Sequence, residues 1–253
     1  MGLDVKNLQV SLSGNTIVHD VSMRVRDNQF VGLLGPNGCG KTTMLRTVYK
    51  SIKPDHGGVL LDKLDVLSAS PKEVARRLSV VGQFNELSFD FSVRQLVLMG
   101  RTPFKKMMEP DNKEDIAIAD KAITAVGLNG YENRSYATLS GGEKQRVILA
   151  KAITQHPTFM CLDEPTNHLD INFQLKLLSV VKSLKIGILA AMHDLTLAGI
   201  FCTYIYLMQK GKVVASGTPI EVLTHDNIFT VYGVDCHVTP NHKTGYLDIS
   251  YII

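Results

Sequence analysis

The sequence predicts an α/β fold, an open sheet whose strand ends carry a phosphate loop, and three observations predict it. Residues 35–42 read Gly-Pro-Asn-Gly-Cys-Gly-Lys-Thr, a complete G-x-x-x-x-G-K-[ST] loop fed by the apolar run 30–34. Residues 158–162 form a second short apolar run, which ends in Asp163-Glu164. Residues 186–192 form a third, which ends in His193. Continuous apolar runs mark buried parallel strands, and open α/β sheets bind ligands at the carboxyl ends of such strands.

The elements follow in order. Residues 3–30 alternate imperfectly between apolar and polar, as in Leu8-Gln9-Val10-Ser11-Leu12, so two antiparallel strands with a turn at Ser13-Gly14-Asn15 are expected. After the loop, Met44, Leu45, Val48 and Tyr49 recur at helical spacing, and Pro54 with Gly57-Gly58 ends that unit. The apolar run 78–81 precedes Gln83. Residues from about 86 to 157 read mainly as helix, with stripes at Val93, Leu96, Val97, Gly100 and at Ile116, Ala119, Ile123, Val126. Residues 139–143 read Leu-Ser-Gly-Gly-Glu, where Ser140 and Glu143 form a capping box opening another helix. Strand–helix alternation resumes from Thr158 to about 215, and a short α/β tail follows Gly217.

The chemistry sits at the joints. Backbone N–H groups of the loop ring phosphates, Lys41 reaches their outer oxygens, and the Thr42 hydroxyl suits Mg²⁺. Asp163 also suits Mg²⁺, and Glu164 suits a base that polarises an attacking water. Ser140, Gly141 and Gly142 form a second anion-binding helix start. Cys39 lies inside the loop, where a small side chain fills a tight turn and Lys41 would favour its thiolate. Cys236, His237 and His242 lack regular spacing or a fourth ligand and read as surface residues, not a metal site. Met107-Met108 beside Lys105-Lys106 reads as a loop with a partly apolar edge.

Composition narrows the class. With 253 residues the chain is long enough for one α/β unit with its own core. The balance of 27 basic and 24 acidic side chains, net +3, is too weak to imply a nucleic-acid partner, and no basic run interleaves with aromatics. No run approaches the ~18 apolar residues of a membrane span. No signal peptide is evident, position 6 is Lys6 where a myristoylation motif needs Ser or Thr, and the four cysteines lack C-x-x-C spacing. A soluble subunit of a reducing compartment is expected.

These motifs, in this order, resemble the ATP-binding subunit of ABC transporters over nearly the whole chain. The resemblance implies a P-loop NTPase with a RecA-like core, an antiparallel β subdomain and an inserted helical signature subdomain. It implies one unit over 1–253, with 1–85 and 158–215 as core, 86–157 as helical subdomain and 216–253 as tail. ATP and Mg²⁺ are the implied cofactors. Walker A, Gly35, Pro36, Asn37, Gly38, Cys39, Gly40, Lys41 and Thr42 with Thr43, would cradle the phosphates. Walker B closes on Asp163, so Thr42, Gln83 of the Q-loop and Asp163 would hold the metal. Glu164, the switch His193, Lys41 and Gln83 would act in hydrolysis. The signature residues Ser140, Gly141 and Gly142, with the D-loop Asp170, would meet ATP bound to a second, head-to-tail copy. The family usually stacks adenine on an aromatic residue at the position that falls on Leu12 here, so apolar packing replaces the ring.

The segment 93–103, the stretches 38–41, 167–171 and 192–195, and the tail segments 218–223 and 231–234 are similar to importers of iron–siderophore complexes, haem and vitamin B12. Implied partners are a polytopic permease dimer, docked around Arg94 to Arg101, and an extracytoplasmic binding protein reached indirectly. The implied location is the cytoplasmic face of the inner membrane. A zinc or manganese importer is the near alternative, and a soluble non-transport ABC ATPase the remoter one.

Overall fold

A computed structural model describes residues 2–82, 90–167 and 169–252. Strands β1 (Gly2–Leu12), β2 (Asn15–Arg26), β3 (Phe30–Leu34), β4 (His56–Leu61), β5 (Leu64–Asp65) and β6 (Leu78–Val81) come from the first third of the chain. Strands β7 (Phe159–Asp163), β8 (Gly187–Ala191), β9 (Tyr204–Gln209), β10 (Lys212–Gly217), β11 (Cys236–Pro240) and β12 (Leu247–Tyr251) follow later. The helices are α1 (Lys41–Val48), α2 (Pro71–Ala75), α3 (Val93–Leu98), α4 (Lys113–Ala125), α5 (Gly141–Thr154), α6 (Ile171–Ser183), α7 (Leu195–Phe201), α8 (Pro219–Val222) and α9 (His225–Tyr232).

The central sheet runs β10-β9-β3-β8-β7-β6, parallel throughout except for the antiparallel edge strand β10. Strands β3 and β8 are buried at every position, which is why their sequences read as unbroken apolar runs. A second sheet, β2-β1-β4-β5, is antiparallel. Its alternation places Leu3, Val5, Leu8, Val10, Val18, Val21, Met23 and Val25 inward, over α1 and one face of the central sheet. The other face is covered by α3 to α7 and by the tail. Helices α3, α4 and α5 pack on one another through Val93, Leu96, Val97, Ala119, Ile123 and Val147.

One expectation fails in the antiparallel sheet. Gly57-Gly58 was expected to end a unit, but both lie inside β4. Gly57 has φ 92, and a Cβ there would sit 2.5 Å from the carbonyl oxygens of Lys6 and Asn7. Glycine is required by the close approach of β1, not by a chain break. The cysteine of the tail is a second correction. Cys236 is buried at 1% exposure in the larger core together with Leu247, while His237 and His242 are exposed. The β11–β12 hairpin is fastened to the body by these side chains, and β12 lies on α7.

Candidate functional site

The site gathers at the carboxyl ends of β3, β7 and β8, three neighbours in one sheet. Strand β3 ends at Gly35, φ 145, whose Cβ would collide with the Met208 carbonyl oxygen and approach the Cys39 sulfur at 2.7 Å. Only glycine lets the chain leave the sheet here. The loop then turns into α1 at Gly40, φ 105, which caps the helix without any side-chain hydrogen bond. Met44 N–H returns to the Gly40 carbonyl at 2.9 Å, so the Lys41, Thr42 and Thr43 amides stand at the uncapped first turn. An uncapped helix start with its dipole is an anion site.

Lys41 is 4% exposed and donates to the carbonyls of Gly35 at 2.7 Å and Pro36 at 3.1 Å. Burial pushes its pKa down, and Cys39, Glu164 and Asp163 oppose that push. The ammonium is thus held against the carbonyls of its own loop. Cys39 is buried, and desolvation raises its thiol pKa against the weaker pull of Lys41. The expected thiolate is therefore disfavoured, and the small-side-chain reading holds.

Thr42 Oγ1 donates to Asp163 Oδ1 at 3.0 Å, tying α1 to the end of β7. Burial, then the neighbouring Glu164, push the Asp163 pKa up, with the Thr42 bond opposing them. Two hard oxygens at this spacing beside an uncapped helix fit Mg²⁺, which takes few protein ligands and fills its shell with water and phosphate. The third residue expected at the metal, Gln83, lies outside the described residues, as does His168.

Glu164 turns away from the strand with φ 52 while its N–H still reaches the Ala191 carbonyl at 3.1 Å. A non-glycine residue in this region costs roughly 1–3 kcal/mol and is tolerated where the surroundings fix it. Its Oε1 pairs with His193 Nε2, and its Oε2 accepts from Asn167 Nδ2 at 2.6 Å. Two strand ends and the following turn therefore converge on one carboxylate. Asn167 was not among the expected site residues. The signal for it was position alone, three residues after Glu164 in a turn.

The signature turn is placed by α5. Ser140 is its N-cap, and its Oγ and N–H both donate to Glu143 Oε2 at 2.8 Å. Gly142 faces Leu169 and Phe173, and Gln145 Nε2 donates to the Pro165 carbonyl at 3.4 Å. Asp170 caps α6 by accepting the Phe173 N–H at 3.1 Å. Leu12 is 39% exposed at the end of β1, paired with Asn15. The contact from this hairpin to the phosphate loop is made instead by Ile17, whose carbonyl lies 3.1 Å from a Cβ position on Gly40. Nothing in the apolar pattern singled out Ile17.

In the segment expected to dock a partner, two arginines are engaged within the chain. Arg94 pairs with Asp120 at 2.9 Å. Arg101 pairs with Asp115 at 3.0 Å and donates to the Thr154 carbonyl at 3.1 Å, nearly buried. Both guanidiniums staple helices together. The accessible feature beside them is a groove of 740 Å³ lined by Lys72, Gln95, Met99, Thr102, Met107 and Met108. Met107 and Met108 are over nine-tenths exposed, at 93% and 94%.

A parallel sheet with a phosphate loop, two carboxylates and a histidine on adjacent strand ends defines a phosphate-loop nucleotide-binding protein. The ABC transporter family matches residues 18–167, and the chain belongs to that family. It is 39% identical to the cobalamin import ATP-binding protein of Halobacterium salinarum over 99% of this chain, and it spans 63% of that relative's length. It is 35% identical to the ferric enterobactin transport ATP-binding protein of Escherichia coli K12, covering 91% of this chain and 86% of that one. It is 36% identical to the hemin import ATP-binding protein of Pseudomonas entomophila, covering 96% and 97%. Its fold matches an inward-facing metal-chelate type ABC transporter with a TM-score of 0.87 and 22% identity, over 100% of this chain and 97% of that one. The mixed parallel and antiparallel architecture expected from the sequence is the architecture found.

Proposed function

We propose that the chain binds and hydrolyses ATP with Mg²⁺ and thereby powers a bacterial importer of iron chelates, siderophore or haem, or of corrinoids such as vitamin B12. One observation carries the reading: the Thr42–Asp163 pair and the Glu164–His193 pair meet beside one uncapped helix start. The import ATP-binding proteins it resembles support the class of cargo.

Residues 35–43 would cradle the phosphates, with Lys41 neutralising their charge. Thr42 and Asp163 would hold Mg²⁺, which screens phosphate charge when bound. Glu164 takes the proton from the attacking water, and its two hydrogen-bonded oxygens fix where that water stands. His193 pairs with Glu164 and would donate to the γ-phosphate as charge develops. Ser140, Gly141, Gly142 and Asp170 would complete the site of a second, head-to-tail copy.

The chain acts as one unit of core, helical subdomain and tail, held at the cytoplasmic membrane face by a permease dimer. The methionine-lined groove beside α3 is the surface offered to a permease helix, since Met is a pliable apolar contact. An extracytoplasmic binding protein acts through that permease. Among the described residues no helix is long and apolar enough to cross a membrane. The test is Mg²⁺-dependent ATP hydrolysis by the purified chain with and without its co-expressed permease. A chain that binds no ATP would overturn the reading.

A further inference from the structure

The chain just after Glu164 is closed by two backbone bonds, both long for N–H···O contacts. The Asn167 N–H returns to the Glu164 carbonyl at 3.3 Å, and the Leu169 N–H returns to the Thr166 carbonyl at 3.3 Å. Asn167 stands where these closures overlap, and its Nδ2 donates to Glu164 Oε2 at 2.6 Å. The place of that side chain therefore depends on what else holds the segment.

Helix α6 supplies the hold. Helical side chains lean toward the N-terminus of their own helix, so a residue early in the helix covers the segment just before it. Gln174 is such a residue: its N–H returns at 3.0 Å to the carbonyl of Asp170, the N-cap of α6. A glutamine amide nitrogen carries two hydrogens, and here both are used. Gln174 Nε2 donates to the Thr166 carbonyl at 3.1 Å and to the Leu169 carbonyl at 3.0 Å. One amide thus spans the closure from its first residue to its last. The Thr166 carbonyl and the Asn167 N–H belong to one planar peptide unit. Gln174 holds one edge of that unit, and the Glu164 carbonyl holds the other. Thr166 is buried, so solvent does not readily replace a lost amide there.

We propose that Gln174 is a positioning residue for the Glu164 base: it clamps the segment from Thr166 to Leu169, thereby fixes the Asn167 peptide, and through Asn167 Nδ2 fixes Glu164 Oε2. This rests on the hydrolysis reading above. Loss of the clamp leaves the attacking water less well placed, so the effect falls on the chemical step. The phosphate contacts of residues 35–43 are made elsewhere and stay as they are.

The test is Gln174→Met, which keeps the side-chain length and removes both donors, compared with Asn167→Ala and with the double variant. Steady-state hydrolysis gives kcat and KM, titration calorimetry gives ATP affinity, and thermal melts report on the fold. Gln174→Met should lower kcat about 5- to 50-fold, part of the roughly 10²–10⁴ that a placed base supplies, with KM and ATP affinity within about 2-fold of wild type. Asn167→Ala should lower kcat by a similar factor. Because the two side chains act in series, adding Gln174→Met to Asn167→Ala should cost less than about a further 2-fold. Gln174→Glu, equal in shape and without a donor, is the second variant and should repeat the loss in kcat. Unchanged kcat in both Gln174 variants overturns the proposal. So do losses that multiply in the double variant, because a merely structural clamp acts independently of Asn167. A lower melting temperature with kcat kept marks such a clamp and overturns it as well. A wild-type chain that hydrolyses no ATP overturns the hydrolysis reading, and this proposal with it.

Discussion

Helices α1 and α5 both open where the sequence places an anion, but their first turns are finished differently. At α1 the cap is Gly40, which offers no side-chain acceptor. At α5 the cap is Ser140, locked in a reciprocal box with Glu143. The box is the common finish in this molecule: α2, α3, α4 and α8 carry it too. Helix α1 departs from that habit and also has a buried ammonium alongside. The first turn carries no side-chain cap of its own. At the second, the Glu143 carboxylate accepts from the Ser140 N–H and Oγ, and on the proposed reading its anion is presented by a second copy. On the proposed reading a single subunit has one cradle of its own and one that a second copy would complete.

The largest break in this picture comes from Glu164→Gln. The amide keeps the shape but cannot take a proton, so turnover should fall about 10²- to 10⁴-fold with ATP binding retained. Steady-state hydrolysis beside equilibrium binding checks it, and near wild-type turnover would remove Glu164 as base. Next is Lys41→Ala, which strips the charge from the open cradle. ATP affinity of the single subunit should drop roughly 10- to 100-fold, the scale of a charge-assisted hydrogen bond. Ser140→Ala sharpens the contrast from the other side. It should cost about 1 kcal/mol of stability through the lost cap. Single-subunit ATP affinity should hold, while ATP-driven association weakens, as thermal melts and sedimentation would report.

The smallest effect lies away from both turns and serves as a control. His225 is flanked by Asp226 and Asp235, which raise its pKa. A raised folded pKa means stability that is complete below the ordinary histidine value of about 6.5 and lost as pH rises through the folded value. His225→Asn should therefore melt earlier than wild type in mild acid and indistinguishably in mild base, with ATP binding untouched at either pH.

Much of this was legible because the chemistry is local. Residues 35–42, Asp163-Glu164 and His193 are short runs at strand ends, and a strand that is apolar on both faces announces itself. What was not legible depended on partners far along the chain. Gly57 reads as a breaker until β1 is laid against it. Nothing local in the sequence pairs Arg101 with Asp115 and the Thr154 carbonyl. Asn167 and Ile17 carry no pattern of their own. Each gains its role from a carboxylate or a loop that another element brings within reach.

The claim that one cradle needs a second subunit is tested most directly by complementation. One batch of subunits carries Lys41→Ala and another carries Ser140→Arg. Each forms only broken sites alone, because every site would pair an intact half with a damaged one. A head-to-tail mixed dimer holds one doubly damaged site and one intact site. Sizing or crosslinking with ATP should show association in the mixture and in neither parent. A mixture as inert as its parents would contradict the shared site.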